Sequence, residues 1–237
     1  MSAVAMTKAS VGEAEAARWA RQFEGKPAEE VLEWAVARFA PRLVMTSSFG
    51  PEGIVLIDKL ARIAPQTPVI FLDTGFHFAE TLAVKEQVRA RYDLNLIEAR
   101  AALTVAEQDA RFGAQLHARR PDECCRLRKV EPLRGALAGY DGWLSALRRD
   151  QSPTRARIAK LEWNAKHGLV KLNPLADWTR AQVWEYLVRH QLPYNRLQDA
   201  GYASIGCQPC TRPVAQGAPE RSGRWAGQGK VECGIHL

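Results

Sequence analysis

The sequence has no long uninterrupted apolar run. No segment approaches the roughly 18 apolar residues of a membrane-spanning helix, which argues against a membrane protein or a membrane partner. The first 20 residues carry acidic side chains and lack the apolar segment of a secretory signal. We therefore expect a cytoplasmic protein. In that compartment cysteines are more often reduced thiols or metal ligands than disulfides, and the odd number of five cysteines agrees with this.

An internal repeat and a second apolar core are also missing. A chain of 237 residues then fits one domain with an extension, because domains run to about 250 residues. Aromatic residues make up 8% of the chain and form no long stripe interleaved with basic ones, so nucleic acid is not the expected partner. The net charge of +7 favours anionic partners, and the arginines and lysines cluster near cysteines and loops. A phosphorylated small molecule fits that distribution.

The hydrophobic pattern predicts an α/β fold. Residues 13–40 have the apolar spacing of amphipathic helices. Beyond Pro41, short buried strands alternate with helices, which is typical of a parallel twisted sheet with helices on both faces. The strands are predicted at 42–48, 68–73, 95–98, 143–147 and 169–172. The helices are predicted at 54–64, 78–92, 104–118, 122–138 with a disturbance at Pro132, and after a capping box at Thr179.

The loop Ser-Ser-Phe-Gly-Pro-Glu-Gly at 47–53 joins the first of these strands to a helix. Ligands of parallel sheets bind beyond the carboxyl ends of the strands, which is where this loop lies. The hydroxyls of Ser47 and Ser48 and the positive end of the helix suit a phosphate or sulfate, and Gly50 and Gly53 expose backbone amides. The Gly-Lys-Ser/Thr of a Walker A loop is absent. An ordinary turn is the alternative.

The second strand ends at Leu72 and Asp73, on the same edge of the sheet. The Asp73 carboxylate could accept a hydrogen bond from a ribose or an adenine amine, and the backbone near Leu72 could contact a base edge. A strand-ending turn stabilised by Asp73 is the alternative, and the motif alone favours the turn.

Four of the five cysteines form two pairs, Cys124-Cys125 and Cys207-Gln-Pro-Cys210. Four thiolates in two pairs predict one metal site, either an iron–sulfur cluster or zinc. Adjacent residues on a helix point about 100° apart, which suits the separate irons of a cluster better than a single zinc ion. Four buried reduced thiols are the alternative. Lys129, one helical turn after Cys125, could contact both a cluster and a substrate anion.

The fifth cysteine, Cys233, lies in Glu-Cys-Gly-Ile-His-Leu at the end of the chain. Lys230 and His236 favour its thiolate, whereas Glu232 opposes it, and we interpret Cys233 as a nucleophile. An unremarkable terminal cysteine is the alternative. Residues 211–234 are rich in Gly, Pro, Arg and Gln and poor in aliphatic residues, which predicts a mobile tail. The domain prediction is an α/β nucleotide- and cluster-binding domain at 1–210, with its helical part at 1–40, and a mobile tail at 211–237.

These motifs together resemble the assimilatory adenylyl-sulfate reductases of the wider phosphoadenylyl-sulfate reductase family. The resemblance extends from about residue 44 to residue 237. It is carried by Ser-Ser-Phe-Gly-Pro-Glu-Gly, Phe-Leu-Asp-Thr-Gly, Cys-Cys-Arg-x-Arg-Lys-Val-Glu-Pro-Leu, Arg-Arg-Asp-Gln-Ser, Gly-Cys-x-Pro-Cys-Thr and Glu-Cys-Gly-Ile-His-Leu.

The resemblance implies an adenine-nucleotide α-hydrolase-like (PP-loop-like) fold and thioredoxin-dependent reduction of adenylyl sulfate to sulfite and AMP. Cys233 would attack the sulfate sulfur and form an S-sulfocysteine, which thioredoxin would reduce. The ligands of a [4Fe–4S] cluster would be Cys124, Cys125, Cys207 and Cys210. Family members are often homo-oligomers.

The resemblance also maps substrate contacts onto this chain. Arg155 matches a family arginine near ribose and phosphate, and Ala146 stands where many members have glycine beside adenine. With the loop and strand-end candidates, the predicted substrate-binding set is Ser47, Ser48, Gly50, Gly53, Leu72, Asp73, Lys129, Ala146, Arg155, Arg221, Arg224 and His236.

Three other functions remain open from the sequence. Phosphoadenylyl sulfate could be the substrate, alone or beside adenylyl sulfate, although reductases for it usually lack the cluster cysteines. A sulfurtransferase such as a tRNA thiolase would need a Ser-Gly-Gly-x-Asp-Ser loop, from which residues 47–53 depart. An iron–sulfur redox sensor would leave Cys233 without a role.

Overall fold

The computed structural model describes residues 11–236. Residues 1–10, part of the segment predicted to lack a secretory signal, and Leu237, the last residue of the predicted tail, lie outside the described residues. Within residues 11–236, no helix is both long enough and apolar enough to cross a membrane.

Two amphipathic helices precede the sheet, as predicted for residues 13–40. They are α1 (Glu13–Phe23) and α2 (Ala28–Phe39). Their apolar faces meet through aromatic rings, and the centroids of Trp19 and Trp34 lie 4.9 Å apart in an edge-to-face arrangement. Burial of Val31, Leu32 and Ala35 attaches α2 to the main core.

The sheet has six strands in the order β3-β2-β1-β4-β6-β5. Every neighbouring pair is parallel except β5 and β6, which are antiparallel. The strands are β1 (Leu43–Thr46), β2 (Val69–Asp73), β3 (Leu96–Arg100), β4 (Gly142–Leu144), β5 (Leu161–Asn164) and β6 (Leu169–Leu172).

Helices cover both faces of the sheet, as the sequence predicted. Along β1, Leu43 and Met45 belong to the core on one face, whereas Val44 packs on the other face with Leu133 and Leu137. Burial on both faces explains the continuous apolar runs of the parallel strands. The remaining helices are α3 (Pro51–Ile63), α4 (Ala79–Tyr92), α5 (Val105–Phe112), α6 (Leu116–Arg119), α7 (Pro121–Cys125), α8 (Glu131–Ala136) and α9 (Arg180–Arg189), with a π-helical turn at Arg126–Val130.

The structure differs from the predicted elements in three places. The antiparallel strand β5 was not predicted, and the helix predicted at 104–118 is two helices, because Gly113 and Gln115 have positive φ angles of 80° and 56°. The helix predicted at 122–138 continues as α7, the π-helical turn and α8. Pro132 lies in the first turn of α8, where a missing N–H is tolerated.

The strand order places one cleft at the centre of the sheet. After β1 the chain builds β2 and β3 on one side, and it then crosses to β4 on the other side. The connections that leave β1 and β4 therefore run to opposite sides of the sheet, and the space between them is the usual ligand site of such sheets.

Candidate active site

The cleft beyond β1 and β4 collects nearly all of the predicted substrate residues. Two predicted elements form its floor, the loop after β1 and the segment after β4. The predicted residues that line it are Ser47, Ser48, Gly50, Gly53, Leu72, Lys129, Ala146, Arg155, Arg221, Arg224, Cys233 and His236.

The loop at 47–53 is held in shape by a buried side chain. Phe49 has a positive φ of 56°, its N–H donates to Ser47 Oγ at 3.0 Å, and its ring packs on Phe71 with centroids 5.6 Å apart. Helix α3 begins directly after Gly50 without a side-chain cap. Its first backbone amides therefore lack a capping side chain at the cleft, which suits a phosphate or sulfate.

Asp73 is not among the residues that line the cleft. Its Oδ1 accepts from the Gly75 N–H at 3.0 Å, and its Oδ2 accepts from Arg100 Nε at 3.2 Å. The carboxylate therefore stabilises the strand-ending turn, which was the alternative interpretation of this motif. A contact between Asp73 and a substrate stays a prediction.

His77 lines the cleft and was not predicted from the sequence. Its Nε2 lies 3.0 Å from the carbonyl oxygen of Leu72, and burial lowers its pKa. The neutral ring fixes the end of β2. No spacing or motif around His77 distinguishes it from an ordinary loop histidine, so no sequence signal could have found it.

The four paired cysteines line one smaller cavity beside the cleft. All four are buried and free of disulfides. Within residues 11–236, no group of three or more His, Cys, Asp or Glu side chains is arranged to hold a single metal ion. The thiols are Cys124 and Cys125 at the end of α7, and Cys207 and Cys210 around a 3-10 turn.

The electrostatics of this cavity raise the thiol pKa at three of the four cysteines, Cys124, Cys125 and Cys210. Burial and repulsion from Cys125, Cys207 and Cys210 raise the pKa of Cys124 to about 12. Burial raises the pKa of Cys125 to about 11. Burial also acts on Cys207, but Lys129 and a hydrogen bond of 3.3 Å with Thr74 Oγ1 lower its pKa. Four thiolates in one cavity would repel one another, and a cationic iron–sulfur group would offset that repulsion by binding them. The four soft sulfur donors therefore fit such a group.

The π-helical turn fixes the segment that joins the two cavities. Arg128 is buried, and its guanidinium donates to the carbonyl oxygens of Thr74 and Leu103 and to Gln108. The next residue, Lys129, lines both the cleft and the thiol cavity. Burial opposes its charge, but Cys207, Cys233 and Cys125 raise its pKa. Lys129 is therefore a cation between the thiols and the cleft.

Another side of the cleft is lined by Glu220, Arg221, Arg224 and Trp225. Trp225 is buried, and the Arg224 guanidinium lies 4.5 Å from its ring centroid. A Cβ at Gly206 would lie 2.1 Å from Arg224 Nη2, so the Arg224 guanidinium could not keep its present position with a larger residue there. Burial and the neighbouring Arg155 lower the pKa of Arg221 to about 10.

The end of the chain is folded across the cleft in this structure. Cys233 is half-buried, lines the cleft and packs beside Cys125, Cys207 and Cys210. The His236 ring stacks on Trp143 with centroids 5.7 Å apart. The predicted mobility of this tail stays a prediction, because the structure describes one position.

The sequence profile of the phosphoadenosine phosphosulfate reductase domain matches residues 42–213. A relative from Gloeobacter violaceus named phosphoadenosine 5'-phosphosulfate reductase is 52% identical, over 92% of this chain and 91% of its own length. The chain therefore belongs to the phosphoadenosine phosphosulfate reductase family, as its motifs predicted.

A second relative and one solved structure of a reductase agree with this family, and a more distant structure shares only the fold. A relative from Halalkalibacterium halodurans named adenosine 5'-phosphosulfate reductase is 48% identical, over 90% of this chain and 93% of its own length. The crystal structure of phosphoadenylyl-sulfate reductase from Candida auris has a TM-score of 0.75 at 30% identity, covering 87% of this chain and 99% of that one. FMN adenylyltransferase from Candida glabrata, at 16% identity, 86% of this chain, 67% of that one and a TM-score of 0.57, shares the fold alone.

Proposed function

We propose that this protein reduces adenylyl sulfate to sulfite and AMP in assimilatory sulfate reduction. Membership of the family and the relatives named adenosine 5'-phosphosulfate reductase support this proposal. The observation that carries it is the position of Cys233, a half-buried thiol in a cleft that Lys129 and Arg224 also line. A cytoplasmic location stays a prediction.

The proposed binding mode follows from the lining of the cleft. Phosphate and sulfate would lie against the α3 amides, Ser47 and Ser48, because these are the donors at the helix start. Lys129 and Arg224 would neutralise the negative charge. The adenosine would lie toward Leu72 and Ala146, whose backbones flank the cleft at the ends of β2 and β4.

In the proposed reaction, the Cys233 thiolate attacks the sulfur of the sulfate group. A sulfur–sulfur bond forms, the bond from that sulfur to the bridging oxygen breaks, and AMP leaves with the electron pair. The cleft would hold the thiolate and the sulfur in line, and positioning of this kind accelerates group transfer. Lys129 would stabilise the charge that develops on the transferred group.

Thioredoxin would then supply the electrons. One of its thiolates attacks Cys233 Sγ, sulfite leaves with the electron pair of the sulfur–sulfur bond, and a mixed disulfide forms. The second thioredoxin thiol breaks that disulfide and restores the Cys233 thiol. Sulfur gains one electron pair, and the thioredoxin dithiol becomes a disulfide. Homo-oligomerisation stays a prediction.

We propose that Cys124, Cys125, Cys207 and Cys210 hold a [4Fe–4S] cluster. The donor set supports this, because four thiols line one cavity and none is engaged in a disulfide. When bound, the cluster would supply a fixed charge beside Lys129. The ammonium of Lys129 would thereby be held at the boundary between the thiol cavity and the cleft.

The proposal predicts where sulfur from the substrate goes. Protein purified anaerobically and mixed with sulfur-labelled adenylyl sulfate, without thioredoxin, should release AMP and retain label on Cys233. Cys233→Ser should release no AMP and retain no label, although it should still bind AMP. Label on another cysteine, or AMP release by Cys233→Ser, would contradict the proposal.

Phosphoadenylyl sulfate is the second candidate substrate. The Gloeobacter violaceus relative and the Candida auris structure carry its name. The same labelling experiment with the 3′-phosphorylated substrate distinguishes the two. If only that substrate labels Cys233, the second candidate replaces the first.

A further inference from the structure

Glu232, the neighbour of Cys233, is buried, and its carboxylate accepts hydrogen bonds from two arginines and a threonine. Arg155 donates to its two carboxylate oxygens from Nε at 2.8 Å and from Nη2 at 2.9 Å. Arg221 Nη2 donates to Oε2 at 3.0 Å, and the Thr154 hydroxyl donates to Oε1 at 3.1 Å. The carboxylate therefore has a bidentate arginine partner and two further donors, an arrangement with strong directional preference.

These contacts join three parts of the chain. Thr154 and Arg155 belong to the domain, and the Arg155 guanidinium is itself fixed by Gln151 Oε1 at 2.6 Å. Arg221 lies in the first half of the tail. Glu232 therefore connects the last residues of the tail to the domain and to the earlier part of the tail, at the residue next to the nucleophile.

The cations of the cleft divide into two groups. Arg155 and Arg221 both pair with Glu232. In the part of the chain that the structure describes, Lys129 and Arg224 form no ion pair with a carboxylate, although both line the cleft. A substrate anion would therefore find Lys129 and Arg224 available while the tail is closed.

We infer that Glu232 is a positioning residue, whose carboxylate on Arg155 and Arg221 sets the place of the Cys233 thiol in the cleft. This inference rests on the proposed function, in which Cys233 is the nucleophile. A small displacement of a nucleophile costs much of the rate, because the reacting atoms must approach in line. The sequence alone had suggested only that Glu232 opposes ionisation of Cys233.

The test compares Glu232→Gln, which keeps the size of the side chain and removes its charge, with the wild type. The readouts are the single-turnover rate of label transfer to Cys233 and the affinity for AMP by titration calorimetry. We expect the rate to fall by about tenfold or more. We expect the affinity for AMP to change by less than about threefold, because Lys129, Arg224 and the loop remain.

A matched control loosens the tail at another point. Lys230 of the tail contacts Asp122, whose side chain is 89% exposed and lies outside the cleft. Asp122→Asn should change the rate of label transfer by less than about threefold, because it leaves the arginine pair intact. Visible absorption of the cluster and a melting curve check that each variant is folded and loaded.

A shorter carboxylate and a double mutant keep the test decisive if Glu232→Gln folds poorly. Glu232→Asp should restore part of the rate. In an Arg221→Gln background, Glu232→Gln should cost less than it does alone, because the two residues act through one contact.

Two results would overturn the inference. Equal label-transfer rates in wild type and Glu232→Gln would show that the carboxylate does not position the thiol. A clear gain or loss of AMP affinity in Glu232→Gln would show that it competes with the nucleotide or binds it. Failure of the proposed function is distinguishable, since the wild type itself would then not acquire label on Cys233.

Discussion

At the scale of single residues, the anion loop depends on the absence of a side chain at Gly53. A Cβ there would lie 2.6 Å from Ser47 Oγ, so the Ser47 hydroxyl would have to shift from its present position. We expect Gly53→Ala to weaken AMP binding by about tenfold, because the loop donors lose their arrangement. Titration calorimetry measures this. Gly135→Ala is the control, since a Cβ at Gly135 has no atom within 4 Å. An unchanged affinity in Gly53→Ala would contradict this account of the loop.

The sequence predicted that certain residues share one region where their chemistry and spacing agree, although their roles stay predictions. The two cysteine pairs and Cys233 lie together around one cleft and one smaller cavity. A metal site on the pairs with a nucleophilic cysteine nearby requires such an arrangement. Asp73 was open to two interpretations because its carboxylate can serve a turn or a ligand equally well. Glu232 could not be assigned, because its partners lie 77 and 11 positions away.

At the scale of elements, the π-helical turn is fixed to the end of β2 by Arg128. Its guanidinium donates to three acceptors, which are the carbonyl oxygens of Thr74 and Leu103 and the side chain of Gln108. We expect Arg128→Lys to lower the free energy of unfolding by about 1–3 kcal/mol, because an ammonium leaves some of these buried acceptors unpaired. Chemical denaturation of the cluster-loaded protein measures the change.

The control for Arg128 lies in the same turn. Arg126 is half exposed and forms an ion pair with Glu131. Arg126→Lys should change the free energy of unfolding by less than about 0.5 kcal/mol, as is usual for exposed pairs. Comparable losses in the two variants would show that Arg128 is not a special link.

The stability of the closed tail should depend on pH. Burial, with Lys171, Arg155 and Arg221 nearby, lowers the pKa of His236 well below its usual range. The closed tail therefore contains neutral His236. Neutral His236 therefore contributes to the stability of the closed tail above the ordinary histidine pKa of about 6.5. This contribution is lost as the pH falls below that value, because His236 takes up a proton when the tail releases it.

We therefore expect the tail to open more readily at lower pH. Limited trypsin cleavage after Arg224 and Lys230 should become faster in the wild type, relative to His236→Asn, as the pH is lowered from about 8 to about 6. His236→Asn serves as the reference because it cannot titrate in this range. A constant ratio between the two proteins would contradict a role for His236 in closing the tail.

The elements show why local patterns predict some structure and miss the rest. The capping box at Thr179 is confirmed. The Thr179 side chain accepts from the Gln182 N–H, and the Gln182 side chain accepts from the Thr179 N–H. That signal is contained within four residues. Strand β5 (Leu161–Asn164) was missed because it is short, lies at the edge of the sheet and is only half-buried beyond its first residue. Its pairing with β6 depends on the whole sheet.

At the scale of the whole molecule, the strand order explains why the site forms where it does. The strand order reverses between β1 and β4, and Cys233, Lys129 and Arg224 all line the cleft at that point. The alternation of strands and helices predicted the sheet and its ligand edge. The closure of the tail over that edge could not be predicted, because it depends on side-chain contacts between distant segments.

The central claim is that four sulfurs hold a cluster while Cys233 takes the sulfonate group. The most direct test is peptide mapping by mass spectrometry of anaerobic, cluster-loaded protein, alkylated before and after reaction with adenylyl sulfate in the absence of thioredoxin. We predict that only Cys233 is alkylated beforehand, and that afterwards it carries a sulfonate and resists alkylation. A sulfonate on one of the paired cysteines, or a Cys233 that stays fully alkylatable after AMP is released, would contradict the account.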